Sequence, residues 1–165
     1  MTERRKPIKM FKTAEESFAY RTEQREDCLV WVGGLDSSGY GLIWDEGRKK
    51  KAHRYAWESA NGPIPEGMLL DHTCFNRACV DVSHLRLVTV SQNSRNRAGA
   101  NKTNRLSGVR NVYLEGTRYL VRVGRKRFGR YSTVEEAAVV ADRARAEVFG
   151  VFAGRGVRAP GDSDA

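Results

Sequence analysis

The chain has only three cysteines in 165 residues, Cys28, Cys74 and Cys79. So few, and an odd number, argues against a disulfide framework and leaves reduced thiols available to a metal. Long apolar runs are missing too. No stretch approaches the ~20 residues that span a bilayer, and the opening MTERRKPIKMFK has no hydrophobic core of the kind a secretory signal requires. A soluble, intracellular protein without a membrane partner is therefore expected. Internal repeats and low-complexity blocks are absent as well, which sets aside tandem-array architectures.

What the chain does have is positive charge. Lys and Arg number 29 against 20 Asp and Glu, giving a net charge of +9 and a pI near 9.8. The basic residues are spread along the chain and attract polyanions, with nucleic acid first among them. Charge by itself does not separate DNA from RNA or from an anionic membrane. The length allows one ordinary domain or two small ones, and small units that bury little core often depend on a metal or a partner. Two small units are expected.

Thr13 with Glu16 forms a capping-box pattern, so a short helix is expected from Ala14 to about Thr22, behind a basic leader; residues 1–25 make up this segment. From Cys28 the runs CLVWV and LIW flank GGLDSSGYG and read as two strands of one hairpin. HRYAWESA (53–60) reads as a helix ended by Asn61-Gly62-Pro63, and Thr89 opens another that carries Asn93. The segment SRNRAGANKTNRLS has almost no apolar residues and suits a solvated tether along a phosphate backbone, which places a linker at 98–107 between a first domain at 26–97 and a second at 108–153. In the second, VRNVYL, RYLVRV and KRFGRY read as three short strands, and Ser132 with Glu135 caps a helix over about 134–149. Residues 154–165 are expected to be a disordered tail.

Chemistry concentrates in DHTCFNRACVDVSHLRLVTVSQN, residues 71–93. A structural zinc takes four thiolate or imidazole ligands in a tetrahedron. Cys74, Cys79 and His84 supply three, and Cys28 is the one cysteine left to complete the set, stapling the N-terminal sheet to the loop after His72. The bland alternative is three buried thiols and a core histidine. Hydrolysis of a phosphodiester needs a base for water, a cation for charge building on the leaving oxygen, and a grip on the phosphate. His72, with an ordinary pKa of ~6.5, suits the base. Asn93 and Asp71 offer hard oxygen donors of the kind Mg²⁺ accepts, and Arg54, beside His53, offers a planar fork to a phosphate. The alternative is that Asp71-His72 is a surface turn and Asn93 a polar residue at a helix start.

These residues together resemble the His-Me finger, or ββα-metal, fold of HNH endonucleases, and most closely its zinc-bound His-Cys box homing type, over about Cys28 to Arg97. The resemblance implies that His72 is the general base, that Asn93 holds the single divalent metal, that Cys28, Cys74, Cys79 and His84 bind zinc, and that Arg54 contacts phosphate. Asp71 follows the broader HNH group, in which the residue before the base often binds the metal, whereas His-Cys box members can lack it.

The run from Ser107 to Gly150 resembles the AP2 DNA-binding domain, a three-stranded sheet packed on one helix. Gly108-Val109-Arg110, Phe128-Gly129 and the EEAA beginning at Glu135 carry this match. It departs from plant members in lacking their strand tryptophan, with Tyr119 nearest that place. Ala137, Ala138, Ala141 and Ala144 form a small-residue stripe that lets a helix lie close on a sheet. Which arginines face outward depends on strand register and stays open.

The expectation is thus an α+β chain: a zinc-stapled ββα-metal nuclease core followed by a three-stranded antiparallel sheet plus helix. The resemblance implies a zinc- and magnesium-dependent endonuclease acting on double-stranded DNA in a bacterial or phage-infected cell, associated with the nucleoid. Its DNA contacts are expected from Arg54, Arg95, Arg97, Lys102, Arg105, Arg110, Arg118, Arg122, Arg125, Arg127 and Arg130. A double-strand cut calls for two sites and hence a homodimer; a nick does not. The rivals are a non-catalytic zinc-containing DNA-binding regulator and an RNA-processing nuclease.

Overall fold

The computed structural model describes residues 10–96, 99–100, 104 and 106–156. The chain divides into two compact units, one ending at Thr89 and the other beginning at Val90. Both mix helices with small antiparallel sheets. The helix bearing Asn93 groups with the second unit, so this division falls ahead of the 98–107 stretch.

In the first unit, α1 (Ala14–Tyr20) starts where Thr13 Oγ1 accepts from the Glu16 N–H at 3.1 Å. It stops short of Thr22, because Thr22–Arg25 is a strand, β1, which pairs with β2 (Cys28–Trp31). Likewise β3 (Leu42–Asp45) pairs with β4 (Arg48–Lys51). The expected hairpin between CLVWV and LIW is thus replaced by two separate hairpins. The cause is local: Glu46 and Gly47 both adopt positive φ (49° and 74°), the two-residue turn whose twist matches paired strands. TEQR and RKKK lack the apolar alternation that marks a strand, which hid both partners.

The GGLDSSGYG segment is a loop organised by Asp36, whose Oδ1 accepts from the backbone N–H groups of Ser38 and Tyr40 at 2.9 Å each. Gly33 and Gly41 flank the buried Trp31 indole so closely that a Cβ would sit 2.7 and 2.6 Å from it. Trp31 heads a small core with Ile43, Ala52, Ala56 and Val80, against which Phe18, Leu29 and Tyr55 pack. α2 (Ala52–Asn61) contributes the two alanines and ends at Gly62. β5 (Leu69–His72) pairs antiparallel with β6 (Leu85–Val88), setting His72 opposite Leu85. The intervening loop is bound to β2: the Trp31 N–H donates to the Ala78 carbonyl, and the Val80 N–H to the Leu29 carbonyl, both at 2.8 Å.

The second unit opens with α3 (Val90–Arg95). Its sheet runs β7 (Val112–Glu115), β8 (Arg118–Val123), β9 (Lys126–Tyr131) in antiparallel order. α4 (Val134–Phe149) packs on it through Ala137 and Ala141 against Val112 and Val121, with Ala144 also buried. The cap is one residue later than expected: Thr133 Oγ1 accepts from the Glu136 N–H at 3.3 Å. Part of the expected tether is packed, since Gly99 and Asn104 are buried, with Asn104 Nδ2 donating to the Val109 carbonyl at 2.9 Å. The start of the expected tail is held too, as the Arg110 N–H donates to the Gly156 carbonyl at 3.1 Å.

Candidate metal centre and catalytic site

Cys28 opens β2, Cys74 and Cys79 lie in the loop bound to β2, and His84 ends a 3-10 turn, Val82–His84, just before β6. The β2-to-loop hydrogen bonds draw residues distant in sequence into one cluster. The ligand atoms of Cys28, Cys74, Cys79 and His84 all lie within 4.8 Å of one another. His84 Nδ1 is 3.5 Å from Cys28 Sγ and 3.6 Å from Cys79 Sγ. A zinc tetrahedron with metal–sulfur bonds of ~2.3 Å has edges of roughly 3.8 Å, so this three-thiol, one-imidazole set fits a closed structural zinc site.

The thiols crowd one another electrostatically. Burial pushes the Cys28 thiol up, the hydrogen bond to Cys74 and burial push Cys79 up, and Cys74, accepting that bond, is pulled down to about 5. A divalent cation relieves such crowding because it binds thiolates directly.

His72 ends β5 and is 7% exposed. Its Nε2 lies 3.0 Å from the Cys79 carbonyl oxygen. With Nε2 donating there, the proton-accepting lone pair is on Nδ1. Cys79 therefore serves two sites: its sulfur joins the metal cluster and its carbonyl orients the imidazole. Burial lowers the His72 pKa, which keeps the ring neutral near pH 7.

His53, in the first turn of α2, packs edge-on to His72 with ring centroids 4.9 Å apart. It is 7% exposed and its pKa falls to about 3, chiefly through burial and then through His72. Tyr40 completes the cluster, 5.1 Å from His53 and 6.1 Å from His72. Lys51 and Arg77 lie over the Tyr40 ring at 5.0 and 5.3 Å. The sequence offered no sign of Tyr40, which sits in a glycine-rich loop and reaches His72 only through the fold.

Asp71 is 7% exposed and receives Arg86 on Oδ2, with Nε and an Nη each at 2.9 Å. Successive strand residues face opposite ways, so Asp71 points away from the His72 side and is tied to its register partner Arg86. Asn93 is half-buried on α3, and among the described residues nothing bonds to its side-chain amide. Arg54 follows His53 on α2, is 40% exposed on its side chain, and has Glu58 at 3.9 Å.

Register resolves the arginines of the second unit. Val121 and Val123 are buried beneath the sheet, and the intervening Arg122 points outward over the Tyr113 ring at 4.9 Å. Arg127 and Arg130 pair with Arg122 and Leu120, so they share that face, as does Arg118. Arg130 forks onto Glu115 at 2.9 and 3.2 Å. Arg125 is exposed in the β8–β9 turn, and Arg95 lies 5.5 Å from the Phe149 ring. The Arg110 guanidinium donates to the Ala153 carbonyl at 3.2 Å and the Arg95 carbonyl at 2.7 Å, within the second unit. Arg97, Lys102 and Arg105 lie outside the described residues.

Residues 50–95 match the family model described as HNH endonuclease, and that match supports a nuclease. The matched span holds His53, Arg54, Asp71, His72, Cys74, Cys79, His84 and Asn93, while Cys28 lies ahead of it. The chain is also 42% identical over 69 residues to Protein 7.7 of Escherichia phage T7, covering 42% of this chain and 53% of that protein. It is 50% identical over 36 residues to the uncharacterized gene 5.3 protein of Enterobacteria phage T3, covering 22% of this chain and 36% of that protein. The chain thus spans about half the length of the first relative and about a third of the second. No solved structure matches it significantly. Among the described residues no helix is long and apolar enough to cross a membrane.

Proposed function

We propose that this chain is an HNH-type DNA endonuclease whose Cys28, Cys74, Cys79 and His84 hold a structural zinc and whose His72 is the general base. The observation that carries this reading is the 3.0 Å contact between His72 Nε2 and the Cys79 carbonyl, which leaves Nδ1 as the proton acceptor on a neutral ring. The HNH match, and the antiparallel β5–β6 pair with His72 at the end of its first strand, support a His-Me finger reading, in which α3 follows in sequence.

In this mechanism His72 Nδ1 takes a proton from water, whose oxygen attacks phosphorus. The bond to the 3′ oxygen breaks, and protonation of that oxygen by solvent leaves 5′-phosphate and 3′-hydroxyl ends. Arg54 holds a non-bridging phosphate oxygen with its fork of donors. Magnesium is the divalent cation proposed for this chemistry; Asn93 and Asp71 each offer a hard oxygen donor, the Asp71 carboxylate being also engaged by Arg86. Such an ion supplies positive charge to the leaving oxygen. The outward arginines 118, 122, 127 and 130 of the second unit, on a sheet backed by one helix, support an AP2-like DNA-binding role for it.

The test is to incubate the zinc-loaded protein and Mg²⁺ with a randomised duplex library and sequence the new ends. Cleavage is expected from the unmutated protein and at least ~10³-fold less from His72→Ala, with duplex binding and zinc content retained. The burial of His72 favours one rival, a zinc-containing DNA-binding regulator in which the ring is only structural. That rival wins if the unmutated protein binds duplexes but never cuts one.

A further inference from the structure

We propose that the outward face of the β3–β4 ribbon, formed by Trp44, Lys49 and Lys51, is a docking surface for the duplex DNA flanking the scissile phosphate; this rests on the nuclease reading above. The ribbon has two unlike faces. Ile43, 1% exposed, points into the core, and on that side Lys50 is neutralised by Asp45 at 3.2 Å and Glu58 at 2.6 Å. Trp44, its neighbour, points the other way and is 60% exposed. Its register partner is Lys49, whose Nζ lies 5.7 Å from the indole centroid. Among the described residues no carboxylate pairs with Lys49. At the tip, on the Lys50 side, the Arg48 side chain is 72% exposed, with Glu46 at 3.9 Å and Asp45 as its register partner.

One step along the same face, Lys51 pairs with Leu42. Same-face positions recur about every 7 Å along a strand. Lys51 meets the Asp36 carboxylate and also lies over Tyr40, whose ring neighbours His72. A chain of contacts thus links His72, through Tyr40 and Lys51, to the ribbon that carries the exposed Trp44–Lys49 pair.

A large aromatic left in water beside an unpaired cation is poor economy for the fold and a good surface for a polyanion that also presents apolar base edges. A two-stranded antiparallel ribbon has the width that the major groove admits. There Lys49 would meet a phosphate, and Trp44 would lie against base edges such as thymine methyl groups. The charge on this ribbon, and its approach to the cutting site, favour DNA over a protein partner.

The experiment uses the full chain, zinc-loaded, in a His72→Ala background so that a labelled random-sequence duplex stays intact. Affinity is followed by fluorescence anisotropy across a salt series. Trp44→Ala is expected to weaken binding about 10-fold, by analogy with aromatic contacts to bases. Lys49→Gln is expected to reduce the slope of log K against log salt by about 1, one phosphate contact. Because both side chains are exposed, zinc content and melting temperature should be unchanged, and Trp44→Phe should retain most of the affinity. Unchanged affinity and salt slope in Trp44→Ala/Lys49→Gln, with the parent binding normally, would overturn the proposal. A parent that binds no duplex overturns it too. If the protein with His72 intact binds through this ribbon yet never cuts, the nuclease reading fails and the docking surface stands.

Discussion

Removing the metal should unfold one unit and spare the other. The main core cluster of the first unit is small, Trp31, Ile43 and Val80 beside two alanines, with Val30, Leu85 and Val88 also buried among the described residues. Burying each large side chain contributes ~1.5–3 kcal/mol. A structural zinc contributes roughly 10 kcal/mol or more, while a unit of this size is stable by only about 4–12 kcal/mol at ~0.05–0.15 kcal/mol per residue. Losing the metal therefore removes about as much free energy as the unit has. The second unit has its own core of Val112, Val121, Ala137 and Ala141 and no comparable ligand cluster among the described residues. Tryptophan distinguishes the two, because Trp31, Trp44 and Trp57 all precede residue 90. Excess chelator should release one zinc per chain and shift tryptophan emission to the red as Trp31 meets water, while far-UV circular dichroism retains the signal of α4. Cys28→Ser should show the same emission at lower chelator concentration, since three ligands remain. Emission unaltered after complete removal of zinc, or no bound zinc in freshly prepared protein, would refute the reasoning.

Acid should weaken the fold through its buried histidines. Burial holds His53 at about 3 and lowers His72 as well, so below pH ~6.5 the unfolded chain takes up protons that the folded chain refuses. The contribution is full above pH ~6.5 and is lost as pH falls, by ~1.4 kcal/mol per pH unit for each such ring. Melting temperatures between pH 7.5 and 5, with zinc assayed at each point, should fall less steeply for His53→Gln; identical slopes would count against the buried neutral ring. Gly41→Ala should cost ~1–3 kcal/mol, since its Cβ would lie 2.6 Å from the Trp31 ring and 3.0 Å from Ala52 Cβ. Gly34→Ala, with nothing within 4 Å, is the control, and equal melting temperatures for the two would contradict the close approach at Trp31.

The helices were largely legible because their signals are local. The apolar and capping patterns of α1, α2 and α4 lie within a few residues of each helix, and the errors were small shifts, such as Thr133 in place of Ser132 at the start of α4. β8 and β9 were legible for the same reason, with glycine turns between short runs rich in β-branched and aromatic residues. Strand partners were not. CLVW and LIWD announce themselves as strands, but their polar partners TEQR and RKKK carry no alternation, and pairing is decided by the twist of two-residue turns.

Residue type and short spacing were enough to nominate the chemistry of this chain. Soft thiolates and imidazoles at Cys74, Cys79 and His84 suit zinc, and the Asp71-His72 pair followed by Asn93 suits hydrolysis, because ligand preference and proton affinity belong to side chains before they belong to folds. The environment of those groups came only with the folded chain. Packing brought Cys28 across to His84, turned the Cys79 carbonyl onto His72, set Tyr40 and His53 against the imidazole, and left Trp44 in water. Such contacts join residues far apart in sequence, and they depend on the register and twist of every intervening element, which no local pattern encodes.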